Sequence, residues 1–221
     1  MISMIRKTVF IGVIACSSLA FALAPDPNPG RFAKDIELFG IWDGKNSFPE
    51  DAILFVGSSS IRMWPTASAF SGKPIINRGF GGSEISDVIH YYDQVVGRYK
   101  PSRIFLYAGD NDIGGGKGAD QVFRDFKLFA GRVRAELPET RLFFISIKPS
   151  VLRWNHWPTM TATNKLVRNY VADHRNMAYV DLATPLLDET GNPKDVYMDD
   201  GLHLNEYGYQ LWQQALAPYL E

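Results

Sequence analysis

Five short apolar runs set the strongest limit on what this chain can fold into. They occupy residues 52–57, 74–78, 103–108, 141–147 and 177–181, rich in β-branched and aromatic residues and without polar alternation. Continuous hydrophobicity over about five residues suits central strands of a parallel sheet buried on both faces. Between the runs lie longer segments of helical period. Residues 84–99 carry Ile85, Val88, Ile89, Tyr92, Val95 and Val96 on one face, and Val122, Phe123, Phe126, Phe129, Ala130, Val133 and Leu137 repeat the pattern. Weaker versions cover 160–174 and 206–219, and a further amphipathic helix is expected around Phe32, Ile36 and Phe39. A helix followed by β-α five times predicts an α/β fold: a three-layer α/β/α sandwich with a five-stranded parallel sheet and right-handed crossovers. The sequence contains no internal repeat or low-complexity tract, so one domain over 25–221 is expected.

The first 24 residues follow another pattern. Arg6 and Lys7 precede an apolar run from Thr8 to Ala24, the layout of an export signal. Three readings stay open: cleavage near Ala22, lipidation of Cys16 within Val13-Ile14-Ala15-Cys16, or an uncleaved N-terminal anchor, although about 16 apolar residues fall short of the ~20 that span a bilayer. Each makes the chain exported, periplasmic or secreted. Cys16 is the only cysteine. A chain cut at Ala22 therefore has no thiol, which excludes disulfides, a cysteine nucleophile and cysteine metal sites. The same cut removes Arg6 and Lys7 and no acid, taking the formal charge from -1 to -3, and neither value suggests a nucleic-acid partner. Any contact with a membrane would run through the N-terminal segment. Pro25, Pro27, Pro29 and Gly30 read as a linker before the folded part.

In an open parallel sheet, ligands bind beyond the carboxyl ends of the strands. Those ends carry Gly57-Ser58-Ser59-Ser60, then Gly79-Phe80-Gly81-Gly82, then Gly109-Asp110-Asn111-Asp112, and near the C-terminus Asp199-Asp200-Gly201-Leu202-His203. In that order the four blocks resemble the SGNH (GDSL-like) hydrolases, and the resemblance covers nearly all of the chain after the signal. It implies a flavodoxin-like SGNH hydrolase fold and a serine esterase. Carried over by position, Ser59 is the nucleophile, Gly82 and Asn111 are oxyanion-hole donors beside the Ser59 amide, and Asp200 and His203 complete a triad. One departure is visible: Ser58 stands where the family has aspartate, and Ser60 follows. The alignment with the Gly-Asp-Ser block selects Ser59 among the three serines.

The chemistry asks for the same residue types. A serine hydroxyl attacks at neutral pH only when a base takes its proton, and histidine suits that task. A carboxylate three residues earlier, Asp200, can reach the other ring nitrogen; Asp199 cannot. Negative charge on the ester oxygen needs fixed donors, and glycine at 82 lets backbone approach the substrate. Plainer explanations exist for each residue alone: Ser59 in a self-bonded turn, Asn111 in an Asx-turn, Asp200 and His203 capping the last helix. Trp154, His156 and Trp157, just after the fourth run, are candidates for substrate contact; His90 reads as a surface or packing residue, His174 as facing solvent or interacting with a helix dipole, and Trp64 and Trp212 are expected in helices within the core.

Rival readings fail on their own patterns. An EF-hand starting at Asp110 would need a ligand at its fifth position and glutamate at its twelfth, where Gly114 and Gln121 stand. Gly114-Gly115-Gly116-Lys117-Gly118 lacks the Ser or Thr that follows a P-loop lysine. No Gly-x-Ser-x-Gly elbow exists for an α/β-hydrolase. The expectation is a carboxylic ester hydrolase acting on short-chain or acetyl esters of a small molecule or carbohydrate, without cofactor or metal. An acyltransferase or a non-catalytic carbohydrate-binding protein on the same scaffold is the alternative.

Overall fold

The structure is a computed structural model that describes residues 23–221. The signal or anchor expected in the first segment, Cys16 included, lies almost wholly outside the described residues. The five runs are strands β1 (Ile53–Gly57), β2 (Ile75–Gly79), β3 (Arg103–Tyr107), β4 (Arg141–Ile145) and β5 (Met177–Val180). They form one parallel sheet in the order β2-β1-β3-β4-β5, the flavodoxin-like order whose switch point lies between β1 and β3. The helices are α1 (Ala33–Asp43), α2 (Ser59–Arg62), α3 (Thr66–Ala69), α4 (Ile85–His90), α5 (Tyr92–Val95), α6 (Asp110–Gly114), α7 (Ala119–Glu136), α8 (Trp157–Ala172) and α9 (Glu206–Leu216). Among the described residues, none of them is long and apolar enough to cross a membrane.

Successive strand side chains point to opposite faces, which divides the apolar runs between two cores. Leu54, Val56, Ile104, Leu106, Leu142 and Phe144 meet α1, α4, α5, α7 and α8 on one side. Ile53, Phe55, Phe105, Tyr107, Phe143 and Ile145 meet the α2–α3 segment and α9 on the other. On that second face Phe55, Phe105 and Phe143 stack across three adjacent strands, with centroids 5.0 and 4.5 Å apart.

The helix expected over 84–99 is broken. It runs as α4 and α5, then a 3-10 turn at Gly97–Tyr99. At the break Tyr91 packs edge-on against Phe80 and donates its hydroxyl to the Pro29 carbonyl at 3.0 Å, so tertiary contacts override local periodicity. Trp64 is buried as expected, but between α2 and α3 rather than in a helix; Trp212 is buried within α9.

The proline-rich linker is also part of the fold. Asp26 pairs with Lys117 at 2.6 Å, and Gln121 makes two hydrogen bonds to the backbone of Ala24. Lys117, from the glycine run, also pairs with Glu84, Asp112 and Asp125 at 3.0, 3.4 and 2.8 Å. Its charge is thus engaged by carboxylates. Burial pushes the Asp112 carboxyl up to about 7, with Lys117 acting in the opposite sense.

Candidate active site

The site begins where β1 ends. Gly57 has φ of +132°, and a Cβ there would stand 1.8 Å from the Tyr107 carbonyl oxygen, so only glycine lets the chain turn against β3. The three serines that follow separate by direction. Ser58 and Ser60 are buried, at 0% and 1% exposure, whereas Ser59 is half-buried and opens into a cleft.

Ser59 meets residues far along the chain. Its Oγ lies 3.0 Å from His203 Nε2. His203 Nδ1 lies 2.5 Å from Asp200 Oδ2. The other carboxylate oxygen, Oδ1, accepts the backbone N–H groups of Leu202 and His203 at 2.8 and 2.9 Å. These bonds, led by the one from His203, hold the Asp200 carboxyl down at about 2, so it is ionised at every pH where the fold is expected to work. The cap of α9 is Asn205, whose side chain accepts from Gly208 N; Asp200 and His203 are not spent on that helix.

The cleft has a volume of about 550 Å³ and is lined by Ser59, Arg62, Met63, Gly81, Gly82, Asn111, Leu202 and His203. Gly82 is exposed with φ of +85° and open space where a Cβ would stand. Its backbone conformation, rather than crowding, therefore demands glycine. Asn111, on α6, sits in no Asx-turn: its Nδ2 donates to the Ser83 carbonyl at 3.0 Å, and its Oδ1 accepts from Arg153 Nη2 at 3.0 Å. The structure thus gathers Ser59, Gly82, Asn111 and His203 around one opening, with Asp200 joined to it through His203.

The aromatic residues expected at the rim do not line that opening. Trp154 and Trp157 stack on each other at 5.9 Å where a 3-10 turn enters α8, with His156 between them in sequence. His90 is exposed at the end of α4, and His174 Nδ1 is 2.7 Å from the Tyr170 carbonyl oxygen. Four residues near the site escaped sequence reasoning: Arg62, Met63, Lys148 and Arg153. Lys148 carried a signal, a lysine directly after the apolar run of β4. It is 1% exposed, donates to the Leu202 carbonyl between Asp200 and His203 at 2.7 Å, and is pushed down to about 8, chiefly by burial.

A parallel sheet with a serine, a histidine and a carboxylate in hydrogen-bonded series at its switch point defines a hydrolase class. The chain belongs to the GDSL-like Lipase/Acylhydrolase family, whose sequence profile matches residues 57–211. It is thereby an SGNH-type esterase. Among curated proteins it is 24% identical over 204 residues to platelet-activating factor acetylhydrolase IB subunit alpha1 of Bos taurus, covering 84% of each chain. Among solved structures it is similar to a Streptococcus pneumonia protein described as a candidate platelet activating factor (25% identity, TM-score 0.72, covering 86% of this chain and 99% of that one). A GDSL-like lipase of Bacteroides thetaiotaomicron shares the fold at 18% identity and a TM-score of 0.66, covering 87% of this chain and 97% of that one.

Proposed function

We propose that this esterase cleaves carboxylic esters of short acyl groups, acetyl foremost, through an acyl-enzyme on Ser59. The observation that carries the reading is the hydrogen-bonded series Ser59 Oγ, His203 Nε2, His203 Nδ1 and Asp200 Oδ2, assembled from segments 144 positions apart. In the first half-reaction Nε2 takes the hydroxyl proton while Oγ bonds to the ester carbon. The carbonyl oxygen becomes an oxyanion facing the N–H groups of Ser59 and Gly82 and the Asn111 amide. The C–O bond to the alcohol then breaks, and the imidazolium gives its proton to the leaving oxygen. Water repeats the sequence, with His203 taking its proton, and releases the acid and free Ser59. A cleft of about 550 Å³ suits a compact ester.

The test is turnover of p-nitrophenyl acetate by two neighbouring variants. Ser59→Ala is expected to lose on the order of 10³-fold or more in kcat, with an unchanged melting temperature. Ser58→Ala is expected to keep most activity, because that hydroxyl is buried away from His203. The reverse result would move the nucleophile by one position. The N-terminal layout further supports the reading that the enzyme acts outside the cytoplasm; N-terminal sequencing from its native host should read a start near Leu23 or a blocked Cys16, and a retained Met1 would leave only the anchor reading.

A further inference from the structure

An asparagine can serve an oxyanion only if its nitrogen, not its oxygen, faces the substrate. The two ends of the amide have nearly the same shape, so only their partners orient it. Arg153 is such a partner. Its Nη2 donates to Asn111 Oδ1 at 3.0 Å, and a guanidinium has donors only. The amide oxygen must therefore lie on the Arg153 side. On the far side Nδ2 spends one N–H on the Ser83 carbonyl at 3.0 Å, which leaves the other for the cleft. A cation at the oxygen end also polarises the amide and strengthens its N–H groups as donors.

Arg153 is itself held in place. Its Nη1 lies 3.5 Å from Asp110 Oδ2, and its backbone N–H donates to Ser150 Oγ at 3.3 Å. The guanidinium crosses the bare edge of α6 at Gly114, where an added Cβ would stand 3.1 Å from both Cζ and Nε. The same segment after β4 grips the other half of the site. Leu152 N donates to the Gly201 carbonyl at 2.9 Å, Lys148 Nζ to that of Leu202 at 2.7 Å, and Tyr197 Oη to that of Pro149 at 2.8 Å. Residues 148–153 thus tie the Asn111 amide to the turn that carries Asp200 and His203.

We propose that Arg153 is a positioning residue for ester hydrolysis: lying across Gly114, it fixes the Asn111 amide with an N–H group towards the oxyanion. The inference rests on the reading of Ser59 as nucleophile and Asn111 as donor. Its signature is a loss in kcat that vanishes once Asn111 is gone.

The experiment measures kcat and KM for p-nitrophenyl acetate, with thermal melts as a check on folding. The variants are Arg153→Met, Arg153→Lys, Gly114→Ala and Asn111→Ala, together with Arg153→Met and Gly114→Ala each combined with Asn111→Ala. Asn111→Ala is expected to lower kcat by about 10²- to 10³-fold. Arg153→Met should lower it roughly 10-fold with KM steady, and Arg153→Lys less, because a lysine keeps the charge but not the planar fork. Gly114→Ala keeps the arginine but crowds it, and should cost about 3-fold in kcat, a partial loss of the same donor. In the Asn111→Ala background neither second change should lower kcat further, the non-additivity expected of groups acting through one another. A full multiplicative loss in the double variants, or a change confined to KM, would overturn the role of Arg153 while leaving the hydrolase intact. A wild-type chain no more active than Ser59→Ala would overturn the hydrolase reading and this inference with it.

Discussion

Asp200→Asn makes the sharpest demand on the account, because the structure dictates how the new amide must sit. Oδ1 accepts two backbone N–H groups, from Leu202 and His203. An asparagine must therefore keep its oxygen there, since the flipped amide would set its NH2 against two donors. Its nitrogen is then forced to the Oδ2 position, facing His203 Nδ1 at the observed 2.5 Å. A donor there requires Nδ1 to accept, which places the ring proton on Nε2, towards Ser59. That tautomer cannot take the hydroxyl proton. An equivalent change in a serine-protease triad costs about 10⁴-fold in kcat, close to 5.5 kcal/mol of barrier, and the same order is expected here. Asp200→Ala should lose less, because the Asp200 side chain is 45% exposed and water can accept from Nδ1 in its place. The turn itself stays tied through Lys148 and Leu152. The assay is kcat for p-nitrophenyl acetate near pH 8, with circular dichroism melts as the folding control. An Asp200→Asn variant within about tenfold of wild type, or one more active than Asp200→Ala, would refute the tautomer argument.

The remaining expectations concern pH and the core. Asp200 is held down at about 2 by its bonds to His203 and Leu202, so its carboxylate is present above that value and lost only as pH falls through it. Protonation of Asp200 should therefore contribute nothing to any loss of activity at pH values well above 2; a carboxyl at residue 200 seen by NMR to take up its proton between about pH 4 and 6 would contradict this. Phe105→Ala should destabilise the fold by about 3–5 kcal/mol in denaturant titrations, because Phe105 is fully buried and stacked between Phe55 and Phe143. A loss under 1 kcal/mol would mean that the aromatic stack is not part of the stable core.

The sheet was legible in the sequence because a central parallel strand must be apolar on both faces, and each expected run matches its observed strand to within two residues. The break at Tyr91 was not legible. Helical periodicity continues through it, and the contacts with Phe80 and Pro29 that oppose it come from distant segments. The linker likewise reads as free until Lys117 and Gln121 are seen to hold it. At the site, Ser59, Gly82, Asn111, Asp200 and His203 could be named because their blocks keep family order and chemistry. Trp154, His156 and Trp157 were placed near the rim by position in the chain, and they are not among the residues that line the cleft. Arg153 had no motif to mark it. Its relation to Asn111 runs over 42 positions and exists only once β3 and β4 lie side by side.

The mechanism turns on which oxygen the substrate's carbonyl carbon bonds to. Incubation with a fluorophosphonate ester, followed by tryptic digestion and tandem mass spectrometry, reads that atom's residue directly. One adduct per chain on Ser59, formed far more slowly in His203→Ala, is the expected result. Modification of Ser58 or Ser60 instead, or a rate independent of His203, would contradict the account.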